Sequence, residues 1–459
     1  MAVRERSGGT RASQRPLQWL AAHPPPGRPT RWLLSGRAWR SPIRGPWLTS
    51  MFGLVLLFAL PVLILTGLFS YLAYQPQFAG NAQPGDVGWL HLPYVSWPAS
   101  PSWLYRLNQG THVVGGIVLI PLVLAKLWSV VPKLFAWPPA VSLTQLLERI
   151  SLIMLVGGIL FEMITGVLNI QYDYVFGFDF YTAHYYGAWV FIAGFLTHTV
   201  LKVPVMIRAL RTRSLALELR TPPSRTRPEL PAAPPDPEAD GLVPVAPGPV
   251  TVSRRGAFAL VASGSALLFL LTAGASISDR VRATALFSAR GRTGGSGPTG
   301  FPVNKTAESA GVTDAASDPG WQLQLSGPGG AAAVSFSRDQ LLAMPQHTAD
   351  VPIACVEGWS TVQRWTGVRL ADLARAAGVA APGTAVVRSL QQGSPYSRVT
   401  LNGDQVRAGD SLLALMVNGV PLSMDHGFPA RMVVPAIPGV HATKWVSSIS
   451  FAAAAEQSA

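Results

Sequence analysis

The sequence predicts a multidomain protein: an all-α transmembrane four-helix bundle with a fifth membrane helix, followed by a mainly β (α+β) domain. Three observations carry this expectation. Apolar stretches of spanning length recur up to about residue 277, the loops between them alternate between basic and non-basic, and the pattern beyond residue 300 changes to short β-type runs divided by Gly and Pro. Composition agrees, with 49% hydrophobic residues, 13% charged residues and a mean hydropathy of +0.29. The net charge of +13 sits largely in arginines beside apolar stretches, which fits membrane orientation and not nucleic-acid binding.

Five stretches suit a hydrocarbon core, which takes roughly 20 helical residues. They run about Trp47–Tyr71, Leu107–Val130, Leu147–Ile170, His184–Val205 and Gly256–Ile277. Arginines 4, 6, 11, 15, 28, 31, 37, 40 and 44 precede the first, against Glu5 alone. The next loop has only Asp86 and Arg106. Lys133, with Lys126 and Arg149 at its flanks, marks the connection between the second and third spans, Asp173 and Asp179 the following one, and Lys202, Arg208, Arg211 and Arg213 the end of the fourth span. This alternation places the N-terminus in the cytoplasm and everything after Ile277 outside the cytoplasmic membrane.

Domain boundaries follow from composition. Residues 1–46 form a basic cytoplasmic tail, 47–210 the four-helix domain, and 211–252 a Pro/Arg-rich segment expected to be a disordered cytoplasmic linker. Residues 253–277 form the fifth helix, 278–300 a flexible Gly/Ser/Arg-rich tether, and 301–453 the folded extracytoplasmic domain. In that domain the strand signals are Trp321–Leu325, Ala385–Ser389, Arg398–Leu401, Leu412–Val417 and Arg431–Val434, with a short helix at Val368–Ala377.

Of eight histidines, His112, His184 and His198 fall inside predicted spans. His184 and His198 are 14 residues apart, nearly four turns, so both project from one helix face about 21 Å apart. His112 and His184 share a depth, with Gly115, Gly116 and Gly187 one turn away. Two facing imidazoles suit a six-coordinate haem b; the alternative is that each histidine bonds a neighbouring helix. With the Thr-Gly pairs Thr66-Gly67 and Thr165-Gly166, residues 47–205 resemble the bacterial respiratory cytochrome b family of the formate dehydrogenase gamma-subunit type. The resemblance implies that His112 and His184 ligate an outer haem iron and His198 one side of an inner haem. The family's inner partner is a histidine on the first helix, which this span lacks; Met51 lies at about that depth. Glu162 reads either as a proton-transfer group for quinone near the outer haem or as an acid reaching a neighbour or the interface.

Ser253-Arg254-Arg255-Gly256-Ala257-Phe258 precedes the fifth span and resembles a twin-arginine export signal, the route of proteins that fold around a cofactor before crossing. The alternative is a pair of arginines anchoring a helix. Ala273-Gly274-Ala275 has the composition of a cleavage site, and we expect it to stay intact because cleavage would part the domain from its electron carrier.

Cys355, the single cysteine, stands in Ile353-Ala354-Cys355-Val356-Glu357-Gly358-Trp359-Ser360. By residue chemistry it is either a small buried hydrophobe or a thiolate for a redox metal. With Phe301-Pro302-Val303-Asn304-Lys305-Thr306, Trp365-Thr366-Gly367-Val368, Asn418-Gly419-Val420-Pro421-Leu422, His426-Gly427-Phe428-Pro429-Ala430-Arg431 and Lys444-Trp445-Val446, it resembles the sulfite oxidase-type molybdopterin domain. That resemblance implies Cys355 as the catalytic molybdenum ligand, with Asn304, His426, Arg431 and Lys444 holding molybdopterin and its phosphate. Ala354 and Glu357 stand where eukaryotic sulfite oxidases carry arginines, so the substrate stays open. Tyr396 and Arg398, on a Gly-Ser-Pro loop, are candidates for the substrate pocket.

The expectation is a membrane-bound molybdopterin-dependent oxidoreductase that couples extracytoplasmic two-electron oxo-transfer to the quinone pool through haem b. Its partners would be a small-molecule substrate, quinone or quinol, and the lipid bilayer. The alternatives are a haem-only electron carrier and a non-catalytic binding module on a membrane anchor.

Overall fold

The computed structural model describes residues 37–74, 86–87, 90–91, 96–134, 142–171, 177–178, 180–229, 242–244, 246–288, 295–328 and 333–454. The basic tail up to residue 36, Asp173 and Asp179 lie outside the described residues. Seven helices matter here: α1 (Pro46–Tyr74), α2 (Leu104–Val118), α3 (Ile120–Leu134), α4 (Leu143–Gln171), α5 (Phe180–Leu210), α6 (Leu215–Arg220) and α7 (Arg254–Thr272). Helices α1, α4, α5 and α7 are long and apolar enough to cross a membrane, and the pair α2–α3 makes a fifth if it is one span.

That pair departs from the sequence expectation of one continuous span, because it bends by 41°. Pro121 explains the break: it has no N–H to donate and its ring crowds the carbonyl four residues earlier. Ser265 Oγ on α7 donates to the Val118 carbonyl at this point, 2.8 Å away. A hydroxyl there keeps the disturbed backbone satisfied within an apolar helix cluster.

The residues fall into two compact units. In the first (Met1–Ile64, Gly116–Val167, Phe178–Leu268), Trp47, Leu48, Phe52 and Leu56 of α1 pack with Leu122 and Val123 of α3 and Phe191 and Phe195 of α5. Helices α4 and α5 approach backbone to backbone. A Cβ on Gly158 would lie 2.9 Å from Phe191 Cα, and one on Gly194 would lie 2.6 Å from Leu155 N. Small residues of this kind let membrane helices pack closely where water exclusion gives no drive.

The segment expected to be disordered after residue 211 is partly ordered, for an electrostatic reason. Arg254 is fully buried at the start of α7 and pairs with Glu218 at 3.2 Å and Glu229 at 3.7 Å. Arg213 pairs with the same two acids at 2.7 and 3.8 Å. Two cations and two carboxylates neutralise one another, which fixes α6 and the 3₁₀ turn Pro223–Arg225. The first arginine of the twin pair is thus an interior ion-pair partner, whereas Arg255 is exposed.

The second unit (Leu65–Gly115, Leu168–Gly177, Phe269–Ala459) holds the β domain. Its strands are β1 (Gln322–Ser326), β2 (Val334–Ser337), β3 (His347–Ala354), β4 (Ser360–Arg369), β5 (Pro382–Ser389), β6 (Arg398–Asn402), β7 (Leu412–Val417), β8 (Val420–Pro421), β9 (Arg431–Val433) and β10 (Val446–Ala453). One sheet runs β8-β7-β4-β3 with β9 also on β7; the other runs β2-β1-β10-β5-β6. Only β1–β10 is parallel among these pairings. Val351, Ile353, Trp365, Leu412, Ala414 and Val433 form the core of the first sheet, alternating inward as a half-buried strand requires.

The tether expected after Ser278 is likewise ordered at its start. Asp279–Thr284 forms a 3₁₀ helix, and Ala275 and Ala285 pack with Cys355 and Trp359. Arg282 Nη2 donates to the Ser360 carbonyl at 2.7 Å, and Thr361 Oγ1 donates to Asp279 at 2.9 Å. Buried alanines and a charged clamp hold this segment on the domain, and the Ala273-Gly274-Ala275 stretch is buried.

A Gly194→Val substitution forces side-chain atoms into the α4 backbone. It is expected to destabilise the helical unit by about 1–3 kcal/mol, read as a lower thermal midpoint in detergent. An unchanged midpoint would contradict the backbone approach.

Candidate functional site

Cys355 follows the last residue of β3 and begins a tight turn into β4. Its N–H donates to the Trp359 carbonyl at 2.9 Å, and Gly358 N–H donates to the Cys355 carbonyl at 3.1 Å. Gly358 closes the turn with φ of +87°, a conformation that favours glycine. The turn presents the thiol in a cleft lined also by Phe301, Asn304, Trp359, His426, Arg431 and Lys444. All five residues expected from the sequence to hold one cofactor therefore converge, although they span positions 304 to 444.

The cleft is cationic and short of acids. Arg431, the first residue of β9, is 6% exposed, and Lys444, just before β10, is 9% exposed. Among the described residues neither forms a salt bridge with a carboxylate, and Arg431 Nε has no hydrogen-bond partner. Arg431 Nη1 donates to the His426 carbonyl at 3.2 Å, and Lys444 Nζ donates to the carbonyls of Lys305 and Asp425 at 2.5 and 2.9 Å. The Asp425 carboxylate is engaged elsewhere, accepting from Ala307 N–H at 2.8 Å. Burial pushes Arg431 down to about 9. Lys444 falls well below its ordinary range through burial and then through Arg431. A bound anion would reverse both shifts, since an opposite charge favours the charged form.

His426 is neutral here. Its Nε2 lies 3.2 Å from the Phe301 carbonyl and Nδ1 lies 2.7 Å from Ser423 Oγ, so Nε2 carries the proton and Nδ1 accepts. Burial first, then Arg431 and Lys444, lowers it to about 4. Gly427, at φ of +109°, lets the chain turn between His426 and β9; a Cβ there would lie 3.1 Å from both Arg431 and Lys444. Trp359 Nε1 donates to Glu357 at 2.7 Å, and burial raises that acid to about 8, so it is mostly protonated at neutral pH.

The donor set fits a molybdopterin. A lone buried thiol suits a soft metal, and two buried cations without an acid partner suit a phosphate, with Arg431 as a planar fork and Lys444 as a point charge. Among the described residues no group of three or more His, Cys, Asp and Glu gathers as a metal cluster. Tyr396 and Arg398 are not brought to this cleft. Both are exposed, and Arg398 pairs with Arg388 at the β5–β6 edge of the other sheet. From the sequence the Gly-Ser-Pro loop could reach the pocket, but the sheet register carries it away.

Residues 310–459 match the family described as oxidoreductase molybdopterin binding domain. The "Uncharacterized oxidoreductase YuiH" of Bacillus subtilis (strain 168) is 34% identical over 154 residues, which are 33% of this chain and 74% of that protein. The chain belongs to this molybdopterin-binding family. Mitochondrial sulfite oxidase of Rattus norvegicus is 31% identical over 156 residues, 28% of this chain and 29% of that protein. The chain thus spans less than a third of the length of that relative. The crystal structure of the sulfane dehydrogenase SoxCD from Paracoccus pantotrophus is 24% identical, covers 29% of this chain and 38% of that one, and has a TM-score of 0.27. The C-terminal domain is a molybdopterin oxidoreductase domain of the sulfite oxidase type, and the chain is a molybdenum oxidoreductase of that type.

The histidines of the helices are seated alike in their separate units. In one, Thr66 Oγ1 lies 3.3 Å from His112 Nδ1, and a Cβ on Gly67 would lie 2.8 Å from the His112 ring. In the other, Thr165 Oγ1 lies 3.0 Å from His184 Nδ1, and a Cβ on Gly166 would lie 3.4 Å from the ring. Each Thr-Gly pair therefore orients an imidazole and clears space for it. Thr165 Oγ1 donates its one proton to the Phe161 carbonyl at 2.7 Å, so it accepts from His184 Nδ1–H. That tautomer leaves the ring's lone pair on Nε2. Glu162 Oε2 also lies 3.1 Å from His184 Nδ1, while its Oε1 is buried without a hydrogen-bond partner among the described residues.

His198 lines a cavity of about 910 Å³ in the first unit, with Ser50, Leu60, Lys126, Phe195 and Met206 among its walls. Met51 does not line it and packs against the helix core. Sequence reading also missed Phe301, whose ring lies 3.8 Å from that of His426 and so fixes its plane. The Phe-Pro opening of the domain was the available signal.

Replacing Arg431 with Met removes a buried, unneutralised charge. The cofactor-free protein is expected to keep or gain stability, by roughly 1 kcal/mol or more, while retention of molybdopterin falls. Denaturant unfolding and pterin content check the two arms. A loss of stability with pterin retained would contradict the anion-cradle reading.

Proposed function

We propose that this chain is a membrane-bound molybdopterin-dependent oxidoreductase coupling two-electron oxo-transfer chemistry to the quinone pool through haem b. The observation that carries the proposal is the pair of buried cations, Arg431 and Lys444, beside a buried thiol, neither cation forming a salt bridge with a carboxylate among the described residues. When bound, the molybdenum centre supplies two-electron redox and oxygen-atom transfer.

The chain's own groups divide the remaining work. Cys355 is the catalytic ligand, held by its turn at the end of β3. Arg431 and Lys444 bind the pterin phosphate, and Asn304 and the neutral His426 hold the pterin beside them. The small-molecule substrate enters beside Ala354 and Glu357, a surface poorer in cations than an oxyanion site would be.

His112 and His184 ligate haem iron through Nε2, each oriented by its threonine, and His198 ligates an inner haem from the 910 Å³ cavity. That volume lies within the range of about 300–1,000 Å³ usual for ligand sites. Glu162, against His184, exchanges protons with a quinone or quinol. The alternation of basic loops supports a cytoplasmic N-terminus and an extracytoplasmic C-terminal domain in the plasma membrane. Ser253-Arg254-Arg255-Gly256 acts as the export signal before the bundle closes around Arg254.

Haem difference spectra of purified full-length protein test the reading. His112→Ala and His184→Ala are each expected to lose the haem b bands while molybdenum content stays at the wild-type level. Unchanged spectra in both variants would contradict the ligand assignment.

A further inference from the structure

Within the second unit the cysteine turn rests directly on α2. Gln109 Nε2 donates to the Val356 carbonyl at 2.6 Å, one residue from Cys355. Gln109 is buried, and Ser70 Oγ on α1 donates to its Oε1 at 2.7 Å, which fixes which end of the amide faces the turn. One helical turn further on, Val113 abuts Gly358, where a Cβ would come within 2.6 Å of its side chain. Gln109 and His112 are three residues apart on the same helix and so lie on neighbouring positions of one face.

We propose that Gln109 is the positioning residue that couples the Cys355 turn electronically to His112. The proposal rests on the reading that Cys355 holds molybdenum and His112 a haem iron. The route runs Cys355, Val356 carbonyl, Gln109 side chain and then about one turn of α2 backbone to His112. It contains one hydrogen bond and otherwise covalent bonds, and electrons tunnel through such connections better than across gaps. With both groups bound, this route would carry one electron at a time from the molybdenum site, oxidised in the process, to the haem iron it reduces, with quinone as the final oxidant. In the reductive direction quinol is the donor and each step reverses. No bond forms or breaks along the route, and no proton crosses it.

A glutamine serves this position better than a charged group. It donates and accepts at once without adding charge beside a metal thiolate, and it stays satisfied when buried. Ser70 sets the amide's orientation, but the Val356 contact alone lies on the route. Loss of Ser70 and loss of Gln109 therefore have different consequences.

The test uses full-length holoenzyme and the variants Gln109→Met and Ser70→Ala. Molybdenum, iron and haem spectra are measured first, then turnover of the molybdenum site with a soluble dye, then the rate of electron exchange between that site and haem. Hydrogen exchange at the Val356–Gly358 amides is followed in parallel, including in cofactor-free protein. Gln109→Met is expected to keep metals, spectra and dye-linked turnover, to slow site-to-haem transfer roughly tenfold, and to speed exchange in the turn. Ser70→Ala is expected to stay near wild type in all of these. Wild-type transfer rate and protection in Gln109→Met would overturn the proposal, as would equal losses in the two variants. Wild-type protein lacking haem would instead sink the electron-route reading, and the proposal with it.

Discussion

A buried guanidinium and a buried ammonium side by side, without a carboxylate between them, are costly to fold around. Burial lowers the affinity of both for a proton, and Arg431 lowers that of Lys444 further. The C-terminal domain accepts this at Arg431 and Lys444, and much of the local architecture follows from it. Gly427 turns the chain so that the two can approach, His426 is kept neutral, and Lys444 is given carbonyls in place of an acid. Such a site is complementary to an anion before any anion arrives. Pterin phosphate would then supply the missing charge, and cofactor binding would be linked to stability by mass action.

The helices use a gentler version of the same device. Thr66 and Thr165 hold imidazoles by a hydroxyl, and Gly67 and Gly166 leave room beside the rings. Each hydroxyl is a neutral partner, and at His184 Glu162 adds an ionisable one. The two histidines are thus seated alike by their threonines.

The sequence was informative where one residue type has few reasons to be present. Cys355 and the His426–Arg431 stretch led to the cleft, and five separated residues met there as expected. The strands of the β domain were legible because alternation and Gly/Pro punctuation survive in a half-exposed sheet. Segments judged by composition fared worse. The stretch after residue 211 looked disordered, yet Glu218 and Glu229 bind Arg254 and order part of it. Residues 279–284 looked like a tether, yet they clamp the cysteine turn through Arg282 and Asp279. Pairings across dozens of positions leave no periodic trace, and Tyr396 and Arg398 failed for the same reason in reverse. The bend at Pro121 was hidden by a hydropathy profile that does not register one missing N–H.

A thiol turn and an anion cradle together form the molybdopterin site of this oxidoreductase domain, and two threonine-held imidazoles stand in its helices. The most direct test of the central claim is molybdenum X-ray absorption on purified full-length protein and its Cys355→Ser variant. The account predicts molybdenum equimolar with the chain in the wild type, with a thiolate sulfur that the variant loses. Wild-type protein without molybdenum, or a metal environment unchanged by the substitution, would contradict it.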